Sequence, residues 1–242
     1  MRYRYLYLLW FILHLTACRQ SAVPPTIIIE EKEVILPPVI TKTATEQRLD
    51  SLHLVEIKAL DTTILVELKY ASADNFTGKI LYEDLTRAYL QPEAAQMLLK
   101  AQRYVKEACP ALTLLVYDAA RPISVQRAMY EAVRNTPKRN YVANPDKTGL
   151  HNYGAAVDIT LADSTGQPLD MGTPFDFFGL KAGIHQEDSL LRAGLLTQKQ
   201  IDNRHLLRQA MTRAGFRTVR GEWWHFNACS LSEAKMRYQL IE

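Results

Sequence analysis

The stretch Gly149-Leu-His-Asn-Tyr-Gly-Ala-Ala-Val-Asp-Ile-Thr160 combines two metal-ligating side chains with the start of a strand. Residues 155–161 alternate in the manner of a β-strand, and His151 and Asp158 lie on either side of Gly154. A regular strand would not bring the two side chains together at this odd spacing, so we predict a bend between them. Glycine permits such a bend because it has no Cβ.

A second run, Gly221-Glu-Trp-Trp-His-Phe226, places Glu222 three residues before His225. A catalytic zinc ion needs three protein ligands drawn from His, Asp, Glu and Cys, with a fourth position open to water. We therefore predict that His151, Asp158 and His225 bind zinc. Glu222 would act beside the metal as the general base.

The second run cannot be a regular strand if this prediction holds. Strand alternation would point Glu222 and His225 to opposite faces of a sheet, so we predict a bulge or bend between them. Trp223 and Trp224 would then form walls of the site.

Arg121 occurs in Tyr117-Asp-Ala-Ala-Arg-Pro122, directly after the short apolar run of residues 112–117. A loop at the end of a buried strand could project the guanidinium into the site, where its planar fork would stabilise an oxyanion. We expect Asp118 to hold it by an ion pair. The alternative is that Arg121 is only a structural partner of Asp118.

The remaining patterns predict one α+β domain with a central antiparallel sheet flanked by helices. Pro92 begins an amphipathic helix that ends before Pro110, and Thr197 begins a capped helix that stops at Gly215. The other predicted elements are strands over 52–60, 63–70, 112–117 and 155–161, a helix over 124–134, and a hairpin of strands at 217–219 and 223–226.

The N-terminus predicts export and lipid attachment. Residues 1–17 combine two arginines with a short apolar segment, as in a signal peptide. The tetrapeptide Leu15-Thr16-Ala17-Cys18 resembles a bacterial lipobox, in which Cys18 carries the lipid; a plain secreted protein is the alternative. We expect residues 18–50 to be a lipid-anchored tether, residues 51–242 the catalytic domain, and the location the bacterial cell envelope, facing the periplasm.

Charge and cysteines add little about partners. The formal net charge is +3 without a concentrated basic run, which argues against a nucleic-acid surface. Cys109 and Cys229 lack a diagnostic spacing, so they could form a disulfide or remain as buried free thiols.

Several separated motifs together resemble the D-alanyl-D-alanine dipeptidases, the vancomycin-resistance type of zinc metallopeptidase. They are His-x6-Asp with its internal Gly-x-Ala-x-Asp, the Glu-Trp-Trp-His run and the Asp-x-x-Arg-Pro loop. The resemblance covers about residues 66–226 and includes Lys69-Tyr-Ala-Ser-Ala-Asp-Asn-Phe-Thr-Gly78 and Met171-Gly-Thr-Pro-Phe-Asp176.

The resemblance implies one zinc ion on the three predicted ligands, Glu222 as general base and Arg121 as the group that stabilises the transition state. It also implies that Tyr70 and Asp176 lie near the free amino group of a dipeptide substrate. Asp176 could otherwise cap a turn after Pro174, and Tyr70 could be a buried aromatic residue.

Two positions depart from the family pattern. A serine that helps to hold the substrate is replaced by Gly149, and Tyr153 stands where related proteins often carry arginine. The expected reaction is hydrolysis of D-alanyl-D-alanine or a related dipeptide. The alternatives are a D,D-carboxypeptidase or endopeptidase acting on peptidoglycan stems, and a weakly active wall-binding lipoprotein, which the change at Gly149 suggests.

Overall fold

A computed structural model describes residues 41–242. The predicted signal peptide, Cys18 and most of the predicted tether lie outside the described residues. Within residues 41–242, no helix combines the length and the apolar character needed to cross a membrane.

The described part of the chain contains helices and strands in mixed order, which confirms the α+β class. The helices are α1 (Ala44–Ser51), α2 (Ile57–Leu60), α3 (Pro92–Ala108), α4 (Ile123–Val133), α5 (Glu187–Arg192), α6 (Gln198–Arg213) and α7 (Leu231–Arg237). The strands are β1 (Val55–Glu56), β2 (Leu65–Val66), β3 (Tyr89–Leu90), β4 (Thr113–Asp118), β5 (Ala156–Ala162), β6 (Arg217–Thr218) and β7 (His225–Asn227).

Five strands form the main sheet in the order β2-β4-β5-β7-β6. Every neighbouring pair is antiparallel except β2 and β4, which run parallel. All residues of β4 and β5 are buried, as the apolar run of residues 112–117 predicts for β4. β1 and β3 form a separate antiparallel pair.

The sheet register brings three polar side chains into one row. Asp158 of β5 lies opposite Asp118 of β4 on one side and opposite His225 of β7 on the other. The β4–β5 register shifts between Val116 and Asp118, which leaves one extra residue in β4. Such a bulge bends a strand and redirects its side chains.

The two long predicted helices are confirmed and pack against one another. α3 starts with Pro92 in its first turn and buries an apolar stripe, as its helical spacing predicts. α6 begins with the predicted capping box, in which the Gln200 amide donates to Thr197 Oγ1 at 3.2 Å and the Thr197 amide donates to Gln200 Oε1 at 2.9 Å.

The predicted strands over 52–60 and 63–70 were too long. In the structure, the first segment contains the two-residue strand β1 followed by α2. The second segment contains the two-residue strand β2 followed by a 3-10 turn at Lys69–Ala71. Short apolar runs of this kind do not distinguish strand from helical turn. Asp61 breaks the segment, because its carboxylate accepts from the Thr63 amide at 2.8 Å and closes a turn.

The folded part also begins earlier than residue 51. Helix α1 starts with a capping box formed by Thr43 and Glu46 and buries Leu49 completely. Thr86 Oγ1 donates to the buried Glu46 carboxylate at 2.8 Å and fixes the helix to the domain. Residues 41–50 are therefore part of the domain and not of a tether.

Cys109 and Cys229 are free thiols, so the open question of a disulfide is answered against pairing.

Candidate metal centre and substrate cleft

The three predicted metal ligands come from three elements that meet at one end of the sheet. His151 lies in a 3-10 turn at Leu150–Tyr153, Asp158 in β5 and His225 in β7. Gly154 ends the turn with a φ of 65°. A Cβ at this position would lie 2.7 Å from Leu54 Cδ2, so the Leu54 side chain would have to shift, and the left-handed backbone angle favours glycine. The predicted bend is therefore confirmed.

The distances within this trio fit a tetrahedral metal ion. Asp158 Oδ2 lies 3.4 Å from His151 Nε2, and Asp158 Oδ1 lies 2.9 Å from His225 Nδ1. His151 Nε2 and His225 Nδ1 are 3.2 Å apart. Ligand atoms bound tetrahedrally at ordinary zinc distances lie about 3.3 Å from each other. Among the described residues, this is the group of His, Cys, Asp and Glu side chains that could hold a metal ion.

The trio attracts positive charge. Burial opposes ionisation of Asp158, but the neighbouring His151 and His225 hold the pKa of its carboxyl well below the usual range. Burial lowers the pKa of His225, and the hydrogen bond and charge of Asp158 outweigh this effect and raise that pKa to about 9. The carboxylate therefore stays ionised between two imidazoles, as a cation site requires.

Arg121 is held rigidly at the edge of the cleft. Its Nε donates to Asp118 Oδ2 at 2.9 Å, its Nη2 to the same oxygen at 2.5 Å, and its Nη1 to Gln126 Oε1 at 2.7 Å. The predicted ion pair with Asp118 is thus present. Nη2 also lies 3.7 Å from Asp158 Oδ2. The guanidinium therefore has a structural partner and also lines the cavity beside the predicted metal ligands.

Two supporting residues had no sequence motif. Gln126 on α4 accepts from Arg121 and donates to the Ala143 carbonyl at 2.8 Å, so it connects Arg121 to the loop before Gly149. Tyr82 donates from its hydroxyl to Asp118 Oδ1 at 2.5 Å. Tyr82 lies 36 positions from Asp118, so its contact has no local sequence signal. Gln126 lies only five positions after Arg121, but the two residues form no recognisable motif.

Glu222 lies on the segment that joins β6 to β7 and lines the same cavity as His225. The backbone bends at residues 223 and 224, as predicted, and this bend lets both side chains reach the cavity. Burial raises the pKa of the Glu222 carboxyl, although His225 opposes the shift. A base with a raised pKa accepts a proton more readily near neutral pH.

The prediction that both tryptophans line the site is confirmed for Trp224 and wrong for Trp223. Trp224 lines the cavity, but Trp223 turns away from it and donates from Nε1 to Thr173 Oγ1 at 2.8 Å. The guanidinium of Arg204 lies 5.9 Å from the centre of the Trp223 ring. The backbone bend sends the two neighbouring indoles in different directions.

Tyr70 and Asp176 meet at another wall of the cavity. The Tyr70 hydroxyl donates to Asp176 Oδ2 at 2.7 Å across 106 positions of sequence. Asp176 has a φ of 57° and a carboxyl whose pKa is raised well above its usual range by burial and by the charge of Asp158. Its bond to Tyr70 favours a role in the cleft over capping of its own turn. Tyr70 is also a buried aromatic residue, as the alternative suggested.

The cleft that these residues share has a volume of about 380 Å³. Gly149 is part of its lining, and its φ of −132° suits any residue. A Cβ there would meet Ala143 Cβ at 3.6 Å and Asn152 Oδ1 at 3.7 Å, which are ordinary contacts. Tyr153, the second departure, is buried and its hydroxyl lies 3.3 Å from Thr148 Oγ1.

Comparison with known proteins gives one consistent family. Residues 50–239 match the peptidase family M15, described as D-ala-D-ala dipeptidase. The chain is 34% identical over 177 residues to the D-alanyl-D-alanine dipeptidase of Escherichia coli (strain K12), which covers 73% of this chain and 85% of that protein. It is 34% identical over 178 residues to the D-alanyl-D-alanine dipeptidase of Enterococcus faecium, which covers 66% and 83% respectively.

Proposed function

Because the chain belongs to the D-alanyl-D-alanine dipeptidase family of metallopeptidases, we propose that it hydrolyses D-alanyl-D-alanine, or a related D,D-dipeptide, into free amino acids with one bound zinc ion. The observation that carries the proposal is the trio of His151, Asp158 and His225, whose ligand atoms lie within 4.8 Å of one another. Glu222 and Arg121 line the same cleft as this trio.

Zinc at this site supplies Lewis-acid chemistry, since it lowers the pKa of water and polarises a carbonyl group. Glu222 takes a proton from the attacking water as the new C–O bond forms. It then gives that proton to the amine that leaves when the C–N bond breaks. The products are two amino acids, and the carboxylate is regenerated.

Arg121 stabilises the negative charge that develops on the substrate carbonyl oxygen. Its guanidinium already has fixed bonds to Asp118 and Gln126, so little reorganisation accompanies the reaction. Asp176 and Tyr70 receive the free amino group of the dipeptide, where a carboxylate faces an ammonium ion. The arriving ammonium ion favours the ionised form of Asp176.

A requirement for a free amino group on the substrate distinguishes a dipeptidase from a carboxypeptidase that acts on stem peptides. Zinc-loaded protein should release D-alanine from D-Ala-D-Ala much faster than from N-acetyl-D-Ala-D-Ala or a pentapeptide stem, measured with a coupled D-amino-acid oxidase assay. Faster hydrolysis of the blocked substrates would favour the carboxypeptidase. Stoichiometric zinc with no hydrolysis of any substrate would favour the wall-binding alternative.

We expect Asp176→Asn to lower kcat/KM for D-Ala-D-Ala about 10- to 100-fold, because a neutral amide cannot balance the substrate ammonium ion and a charge-assisted hydrogen bond contributes about 1.5–3 kcal/mol. Steady-state kinetics on both substrates should show a smaller loss for the N-acetyl dipeptide. Asp170→Asn is the matched control outside the cleft and should keep the original kcat/KM. Equal losses on both substrates would contradict the assigned contact.

We expect Gly149→Ser to fold with a free energy of unfolding within about 0.5 kcal/mol of the original protein, since the added atoms meet ordinary contacts. The hydroxyl would restore the family's substrate contact and lower KM for D-Ala-D-Ala. Gly149→Ala supplies the Cβ without the hydroxyl and serves as control. A KM that falls equally in both variants would exclude a hydroxyl contact.

We also propose that Cys18 carries a lipid anchor that holds the enzyme at the bacterial cell envelope, with the domain facing the periplasm. The support is the sequence Leu15-Thr16-Ala17-Cys18 after an apolar segment. Radiolabelled palmitate should enter the original protein but not Cys18→Ala. Equal labelling of both proteins would count against lipid attachment at Cys18.

A further inference from the structure

We propose that Asn227 is a positioning residue that determines which imidazole nitrogen of His225 binds the metal ion. The inference rests on the proposed metal site but concerns a residue outside the ligand set. Asn227 Oδ1 lies 2.8 Å from His225 Nε2, and both residues lie on β7. Their spacing of two places both side chains on one face of the strand.

The sheet fixes Asn227 on both sides. Its backbone lies opposite Ala156 of β5 and opposite Arg217 of β6. Asn227 is therefore flanked by two strands of the sheet, and its backbone has little freedom to move away from His225. The side chain is half-buried, which limits competition from bulk water for the imidazole N–H.

The chemistry of the amide oxygen selects one tautomer. This oxygen only accepts hydrogen bonds, so His225 Nε2 must carry the proton. A histidine that binds a metal ion is neutral and keeps a single N–H, so a proton on Nε2 leaves the lone pair of Nδ1 for the ion. Nδ1 is the atom that lies 2.9 Å from Asp158 Oδ1 and 3.2 Å from His151 Nε2, so it faces the metal position.

The other histidine ligand is oriented in the same way through the opposite nitrogen. His151 Nδ1 lies 2.7 Å from the Ala119 carbonyl oxygen, which leaves Nε2 for the metal. The carbonyl that orients His151 belongs to the backbone, whereas the one that orients His225 belongs to a side chain. Only the second can be removed by substitution, and loss of such a contact typically weakens metal affinity about 10- to 100-fold.

The first experiment measures the zinc dissociation constant by competition with a chromophoric chelator. We expect Asn227→Leu to bind zinc about 10- to 100-fold more weakly than the original protein. Asn227→Asp should bind at least as tightly as the original protein, because a carboxylate also accepts from Nε2 and does so more strongly. Wild-type affinity in Asn227→Leu, or an equal loss in Asn227→Asp, would overturn the proposal.

Asn203→Leu is a matched control for loss of a buried amide. Asn203 is buried and donates from Nδ2 to the Asp170 carbonyl at 2.9 Å, away from the cleft. It should lower the unfolding temperature without changing the zinc dissociation constant. An equal loss of zinc affinity in this control would show that Asn227 acts only through general stability, and would overturn the proposal.

Histidine NMR on the unsubstituted protein gives a second test that does not depend on the folding of any variant. Long-range ¹H–¹⁵N spectra of the zinc complex should show His225 protonated at Nε2 and metal-bound at Nδ1, and the reverse assignment would overturn the proposal. Neither measurement involves hydrolysis, so an inactive protein that gives these results would contradict only the proposed reaction. Failure to bind zinc at all would overturn both proposals.

Discussion

Replacement of Glu222 by glutamine is expected to lower kcat for D-Ala-D-Ala about 10²- to 10⁴-fold, the usual contribution of a general base. Glutamine has nearly the shape of glutamate but cannot take a proton from the attacking water. Because Glu222 is not one of the three predicted ligands, the zinc content should remain at one ion per chain. Steady-state kinetics and elemental analysis on the same preparation measure both quantities.

Glu187→Gln is the matched control for this substitution. Glu187 is a buried glutamate that pairs with Arg208 at 2.7 Å and lies outside the cleft. The control should lose stability and keep its kcat at temperatures where it is folded. If the Glu222→Gln enzyme retains a kcat close to that of the control, Glu222 is not the general base.

Replacement of Arg121 by methionine is expected to lower kcat about 10²- to 10³-fold with a smaller change in KM, because the fixed guanidinium acts on charge that develops in the transition state. The substitution also leaves the buried Asp118 without its cationic partner. Removal of one partner of a buried ion pair typically costs about 3–5 kcal/mol, so the unfolding temperature should also fall.

Arg121→Lys separates catalysis from stability. Lysine keeps a positive charge for Asp118 and so retains more of the free energy of unfolding than methionine. Its single ammonium cannot bond to Asp118 and Gln126 and also face the substrate, as the guanidinium can. We expect kcat to remain low in this variant. Full recovery of kcat with lysine would show that charge alone, without the fixed fork, is sufficient.

The bend between two of the predicted metal ligands could be predicted from one backbone rule. Gly154 sits between His151 and Asp158 where a bend is needed, and its left-handed backbone permits one. The buried strand β4 could also be predicted, since a short and mostly apolar run such as residues 112–117 is typical of a buried central strand.

Residues 52–70 were misassigned because their apolar side chains could suit either a strand or a helical turn. Ile57, Ile64 and Leu68 are all buried, yet they lie outside the two short strands. The tertiary environment decides such segments. Helix α1 contradicts the predicted tether: the prolines nearby favour a tether, whereas Thr43 and Glu46 form a capping box that begins a helix.

Contacts within the cleft that cross between elements were the hardest to predict. The Tyr70 bond to Asp176 joins residues 106 positions apart, and only the family resemblance placed the two together. Gln126 had no motif at all. Asn227 did have a signal, since strand alternation puts it on the same face as His225. Strand alternation alone does not mark Asn227 as part of the site, because asparagine is not a typical zinc ligand.

Titration of zinc into metal-free protein, with the initial rate of D-alanine release from D-Ala-D-Ala measured at each step, tests the central claim most directly. The account predicts a rate that rises linearly and stops rising at one zinc ion per chain, with no release of L-alanine from L-Ala-L-Ala in a parallel assay. Protein that holds one zinc ion per chain and leaves D-Ala-D-Ala intact would contradict it.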